Sequence, residues 1–174
     1  MPLYPVTDAD LPQLAEFVNA AYRGDSSRLG WTTEADFLGG QRTDVATLRE
    51  EMAEKPGALM LALRDAAGGP LLGCVWLEPE NPDVWYLGML TVRPDMQGRQ
   101  LGRALLSEAE AFVRARGAAR MRLGVLNVRD VLIGWYERRG YARTGETHPF
   151  PYGDERFGIP VRDDLCFTML EKSL

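Results

Sequence analysis

The chain has 174 residues, 45% of them hydrophobic and 26% charged, which is the composition of an ordinary globular protein with length for one sizeable core. Its 20 basic and 25 acidic residues leave a formal charge of −5, which argues against nucleic acid as the main partner and suits, weakly, a cationic amine. With one histidine and two cysteines in apolar runs, Cys74 and Cys166, no metal site is expected, and the cysteines read as free thiols of a cytoplasmic protein. No apolar run is long enough to span a bilayer, and no secretory signal pattern opens the chain. Residues 1–174 are read as one domain.

Leu3 to Val6 reads as a short edge strand. Thr7 or Asp8 caps a helix whose apolar positions Leu11, Leu14, Phe17, Val18 and Ala21 keep helical spacing. Small and polar residues from Tyr22 to Ser27 break it. Glu34 to Leu38 suggests one helical turn, and Trp31 and Phe37 are read equally as packing under a loop or as a substrate wall. Thr43-Asp44 caps a helix from Val45 to Glu54. Two strands, Ala58–Leu63 and Leu71–Leu77, form a hairpin around Ala67-Gly68-Gly69-Pro70. A third strand runs from Val84 to Val92 and carries an internal glycine, Gly88, where a bulge or a close backbone approach is expected at Gly88–Met89.

Pro94 ends that strand, and Leu101, Leu105, Leu106, Ala109, Phe112 and Val113 then trace one face of a helix that stops at Gly117. The turn between them, Gln97-Gly98-Arg99-Gln100-Leu101-Gly102, feeds a helix start. Unpaired N–H groups and the helix dipole make such a turn a phosphate cradle, with Arg99 and Arg103 beside it. Ala119 to Leu126 is the next strand, parallel to the third through a right-handed crossover. Asn127 caps a helix from Val128 to Arg139 that buries Val131, Leu132 and Trp135. Tyr141 to Thr144 and Leu165 to Leu170 close the chain as strands. The stretch Gly145 to Pro160, rich in Pro and Gly, is expected to be an irregular loop whose Phe150, Tyr152 and Phe157 cover something apolar.

The segment from Gln97 to Gly102 resembles the Gln/Arg-x-x-Gly-x-Gly/Ala loop of the GNAT superfamily of acyl-coenzyme A-dependent N-acyltransferases, with Gln100 at the usual middle glycine. Asn127 followed by Trp135-Tyr136-Glu137-Arg138-Arg139-Gly140-Tyr141 is similar to a second pattern of that family. The resemblance implies an α/β fold with a mixed, twisted sheet of about six or seven strands and helices on both faces. It also implies transfer of an acetyl group from acetyl-CoA to a primary amine. Leu90, Thr91, Val92, Gln97, Gly98, Arg99, Gln100, Leu101, Gly102, Arg103 and Asn127 would hold the cofactor.

Tyr136 would be the general acid, because an ordinary tyrosine keeps its proton at neutral pH and can donate it to a leaving thiolate, with Asn127 ordering the site. Trp31, Tyr152 and Asp154 are the candidates for the acceptor pocket. The base is open among Glu78, Glu80, Asp83, Glu146 and His148, or absent if the amine binds neutral. A small-molecule acceptor is favoured over a protein, no membrane or nucleic acid is implied, and the chain is a monomer or a homodimer. The rival readings are a coenzyme A-binding module without catalysis and a protein or peptide acetyltransferase.

Overall fold

A computed structural model describes every residue from Met1 to Leu174. The strands are β1 (Leu3–Pro5), β2 (Leu38–Gly39), β3 (Leu59–Leu63), β4 (Gly73–Asn81), β5 (Val84–Val92), β6 (Arg120–Leu126), β7 (Ala142–Pro149), β8 (Ile159–Pro160) and β9 (Cys166–Ser173). The helices are α1 (Leu11–Tyr22), α2 (Val45–Glu54), α3 (Leu101–Arg114) and α4 (Asp130–Glu137). Seven strands form one mixed sheet in the order β1-β3-β4-β5-β6-β9-β7, and β2 pairs with β8 in a separate ribbon. Only the β5–β6 pair is parallel, the one joined by the α3 crossover.

The central strands read as nearly continuous apolar runs because both faces are covered. Leu61, Leu63, Val75, Leu77, Trp85 and Leu87 point to the side of α3 and α4, where Leu105, Ala109, Val113, Ile133 and Tyr136 meet them. Met60, Ala62, Cys74 and Trp76 point to the other side, against Leu11, Leu14, Val18 and Leu48 of α1 and α2. Each fully buried leucine of this kind contributes about 1.5–3 kcal/mol. The buried Cys74 thiol is pushed up to about 12 by desolvation, so it is inert packing. No helix is long and apolar enough to cross a membrane.

Local signals act as expected at several ends. Asp44 caps α2 by accepting from the Thr47 N–H at 2.7 Å. Gly117 (φ 89°) ends α3 in a Schellman turn, with Gly117 N donating to Arg114 O (3.0 Å) and Ala118 N to Val113 O (3.1 Å).

Glu34 to Leu38 forms the expected single turn, with Phe37 N and Leu38 N both donating to Glu34 O at 2.9 Å, and it leads into β2. Three expectations are corrected. Asn127 does not cap α4, which starts at Asp130 after Arg129. The face of α4 on the core centres on Ile133 and Tyr136, with Leu132 and Trp135 partly buried beside them, and Val131 is 71% exposed. Residues 145–149 are not loop but the second half of β7, on the sheet edge. Gly145 (φ 86°) sits in a bulge there, and Pro149, facing Cys166, ends the strand where a missing N–H costs no ladder bond.

Candidate active site

The site begins where the sheet comes apart. β5 and β6 pair from Val84–Arg120 to Leu87–Leu123 and no further, while β6 stays paired to β9 through Leu126. The cause lies in β5. Between the pairs Trp76–Gly88 and Cys74–Thr91, β4 spends one residue and β5 spends two, Met89 and Leu90. Met89 takes a left-handed conformation (φ 47°), which bends the strand away from β6. Gly88 stands at the bend because a Cβ there would come within 3.2 Å of the Tyr86 ring. The two parted strands wall a cavity of about 920 Å³, with Gly88–Leu90 and Val92 on one side and Leu123–Leu126 on the other.

Tyr136 lies at the cavity from the α4 side, 5% exposed. Its ring packs edge-on between Trp135 (4.9 Å) and Tyr141 (5.6 Å). Its hydroxyl makes no hydrogen bond within the protein, and burial raises its pKa well above that of an ordinary tyrosine. Across the gap, the buried Tyr22 hydroxyl donates to Leu90 O at 2.7 Å and accepts from Thr91 Oγ1 at 3.4 Å.

At one end of the cavity the chain turns through Pro94–Met96, Gly98 (φ 88°) and Gln100 (φ 63°, ψ 5°) into α3. The N–H groups of Gly98, Gln100, Leu101, Gly102 and Arg103 have no hydrogen-bond partner in the protein. Arg103, Arg138 and Arg139 line the cavity beside them. A Cβ at Gly98 would meet nothing within 4 Å, so the loop stands open to a ligand there. Free N–H groups at a helix start with three guanidiniums fit a diphosphate, and a nucleotide-diphosphate cofactor suits this end. Gln100 holds the left-handed conformation that glycine takes at no steric cost. Gln100→Gly is therefore expected to add about 0.5–1 kcal/mol, after the entropic cost of glycine, and to raise the melting temperature by about 1–4 °C. A fall in melting temperature would show that the Gln100 side chain contributes more than its strain costs.

Another part of the cavity wall is closed by charge. Glu34 joins two guanidiniums: Arg23 in a close ion pair and Arg129 at 2.9 Å. Burial alone would raise the Glu34 carboxyl, but Arg129 and Arg23 outweigh it and hold the group below the ordinary carboxylate range. Arg23 also donates to Phe157 O (3.0 Å) and Arg129 to Thr32 O (2.5 Å), so the triad ties the 30s loop, the β8 approach and the start of α4 together.

A family model described as "Acetyltransferase (GNAT) family" matches residues 17–141. The chain belongs to the GNAT acetyltransferase family. Among curated relatives it is similar to mycothiol acetyltransferase of Cellulomonas flavigena, 34% identical over 136 residues, which cover 69% of this chain and 38% of the relative. The counterpart from Stackebrandtia nassauensis is 32% identical over 143 residues, covering 79% of this chain and 43% of the relative. The chain thus spans about two fifths of the length of these relatives. The fold is that of the ribosomal-protein-alanine N-acetyltransferase from Brucella melitensis (TM-score 0.70, 20% identity, all of both chains). It is also that of an aminoglycoside 6'-N-acetyltransferase solved with coenzyme A (TM-score 0.67, 20% identity, 99% of this chain and 97% of the other).

The GNAT loop residues do not all face the cavity. Leu90, Val92, Gln97, Gly98, Gln100, Gly102 and Arg103 line it. Arg99 is exposed outside it, Thr91 is buried with its hydroxyl on Met89 O (3.0 Å), and Leu101 packs beneath the loop on the core. Gln97 works as a brace: its Oε1 accepts from Trp31 N (2.9 Å) and its Nε2 donates to Thr32 Oγ1 (2.7 Å). That brace brings Trp31 to the cavity rim, 6.3 Å from the Trp135 ring.

Three of the residues singled out from sequence stand elsewhere. Asn127 does not line the cavity; its side chain donates to Asp164 O (2.9 Å) and accepts from Cys166 N (3.1 Å), pinning the start of β9. Tyr152 points away, its hydroxyl donating to Arg162 O and accepting from Leu165 N, both at 2.9 Å. Asp154 caps the turn Glu155–Phe157 and pairs with Arg156 at 2.7 Å. The tail meets the cavity through His148, Pro149, Phe150, Pro151 and Phe157 instead.

Of the proposed bases, Glu78 and His148 line the cavity. Glu80 and Glu146 are held by Arg122 outside it, and Asp83 turns the β4–β5 hairpin. Sequence reasoning missed Tyr22, Arg23, Glu34, Arg42, Glu51 and Arg129, all of which line the cavity. The one local signal was charged residues beside apolar ones at helix ends, as in Tyr22-Arg23.

Proposed function

We propose that this protein transfers the acetyl group of acetyl-CoA to the primary amine of a small molecule by direct attack, with Tyr136 as general acid. The observation that carries this reading is the buried Tyr136 phenol, without a hydrogen-bond partner, at the fork of a splayed sheet whose cavity also meets a cradle of free N–H groups. Bound acetyl-CoA would supply an activated thioester. The N–H groups from Gly98 to Arg103, with Arg103, Arg138 and Arg139, would hold its diphosphate. The parted edge of β5, at Leu90 and Val92, would take the pantetheine arm as an added strand, although Leu90 O already accepts from Tyr22.

Tyr136 gives its phenolic proton to the departing sulfur as the N–C bond forms and the C–S bond breaks. The proton that leaves the nitrogen restores the phenol through water. Burial keeps Tyr136 protonated over the whole neutral range, so it serves as an acid and not as the base. Trp31 at the rim and Leu38 and Phe157 near the β2–β8 ribbon narrow the acceptor side, which suits a small amine better than a protein segment. The names of the relatives, mycothiol and aminoglycoside acetyltransferases, support the same class of acceptor.

Acetyl-CoA at a hundred times its dissociation constant is expected to stabilise the fold by about 2.7 kcal/mol. That is a rise in melting temperature of about 5–10 °C by scanning calorimetry. An unchanged melting temperature at millimolar acetyl-CoA would overturn the reading.

A further inference from the structure

Although the protein is acidic overall, its cavity is basic: seven basic and three acidic side chains line it. Arg103, Arg138 and Arg139 belong to the phosphate end. In the acceptor half, Arg23 and Arg129 share Glu34, and Lys55 pairs with Glu78 at 3.1 Å, which also accepts from Trp76 Nε1 at 3.1 Å. Two ions remain without a partner, Arg42 and Glu51, and they do not reach each other. The acceptor half therefore carries one positive charge in excess. It does not resemble a pocket built for a plain cationic amine, which the overall charge of the chain had suggested.

Arg42 is held as an anchor would be. Its backbone N–H donates to Asn19 Oδ1 at 2.6 Å, the next N–H, of Thr43, donates to the same oxygen at 3.1 Å, and Asn19 Nδ2 returns a bond to Thr43 O at 2.8 Å. The main chain is thus clamped to α1 while the guanidinium is free. It stands between α2 and β5. After burial, which raises both, Arg42 is the next influence on Glu51 and on Tyr86, and it opposes that rise. Arg42 is half-buried and lines the cavity with no carboxylate within ion-pair distance, so its guanidinium is available to a ligand anion.

Resting on the acetyl-transfer reading, we propose that the acceptor is an amine that also carries an anionic group, a carboxylate or phosphonate, and that Arg42 binds that group.

The test is coenzyme A release with matched acceptors: amino carboxylic acids and aminoalkylphosphonates, each beside its neutral amide or its decarboxylated or dephosphonylated amine. The wild type is expected to prefer the acid by about ten- to hundredfold in kcat/KM, the size of a charge-assisted hydrogen bond to a guanidinium. Arg42→Gln should bring the acid-to-amide ratio near one, mainly through KM for the acid, with KM for acetyl-CoA and melting temperature unchanged. Arg42→Lys, which keeps the charge, should recover part of the ratio. Preference for neutral or dicationic amines, or a ratio that Arg42→Gln leaves intact, overturns the proposal while acetyl transfer stands. So does failure of every acid both to react and to bind the enzyme–coenzyme A complex in calorimetry. Absence of any acetyl-CoA melting shift strikes the functional reading instead.

Discussion

Tyr136→Phe is expected to lower kcat by about 10²–10⁴-fold, the range for loss of a general acid. The substitution removes one hydroxyl that has no partner in the protein, so the packing of the ring against Trp135 and Tyr141 survives. The melting temperature and the acetyl-CoA stabilisation should then stay within about 0.5 kcal/mol of wild type. The loss should fall equally on kcat and kcat/KM, because the proton is given only in the transition state. The pH profile adds a second check. Burial raises the Tyr136 phenol above its ordinary value, so no falling limb from its ionisation should appear below the ordinary tyrosine range. A rising limb set by the acceptor amine should be the same in wild type and variant. An unchanged kcat, with product release shown not to limit, would reduce Tyr136 to packing.

How much of this was legible beforehand depends on how local each cause is. Val84 and Val92 bound β5 as expected, because Pro82-Asp83 and Pro94 punctuate the chain at both ends. The bulge at Gly88–Met89 was legible for a similar reason: one glycine in an apolar run has few other uses. The free N–H groups before α3 need only a turn and the start of the next helix. Nonlocal pairing defeated the rest. Residues 145–149 become strand only because β9, some twenty residues on, offers an edge to pair with. The roles of Asn127 and Tyr152 are set by carbonyls and N–H groups of a loop that folds back on them from residues 162–166. The exposure of Val131 follows from which face of α4 meets the core: Ile133 and Tyr136 are buried and Leu132 and Trp135 partly so, a choice made by elements distant in sequence. The buried triad was invisible because no spacing links residues 23, 34 and 129.

That triad is the place where a single substitution should cost most stability. The side chains of Arg23, Glu34 and Arg129 are 4%, 11% and 8% exposed, so water does little to screen them. Glu34→Gln keeps the shape but leaves two buried guanidiniums facing a neutral amide. Removing one partner of a buried pair costs about 3–5 kcal/mol. For a chain of this size that is a fall in melting temperature of about 6–20 °C. The pH dependence should change with it. Glu34 is held below the ordinary carboxylate range in the fold, so around that range the unfolded chain binds more protons than the native one. Stability therefore rises with pH there, and the contribution of Glu34 is present above the unfolded value and lost as pH falls through the lowered one. In Glu34→Gln that acid-side slope should be shallower in calorimetric scans. Replacing all three residues by methionine should recover most of the lost stability, since the triad offsets its own desolvation and adds little beyond it. Its contribution is geometric: Arg129 fixes Thr32 beside Trp31, and Arg23 fixes Phe157, so both flanks of the acceptor side hang on one carboxylate. The methionine variant should accordingly fold yet show a raised KM for the amine. If Glu34→Gln costs less than about 1 kcal/mol, the triad is solvated in solution and its role as the strut of the acceptor side is lost.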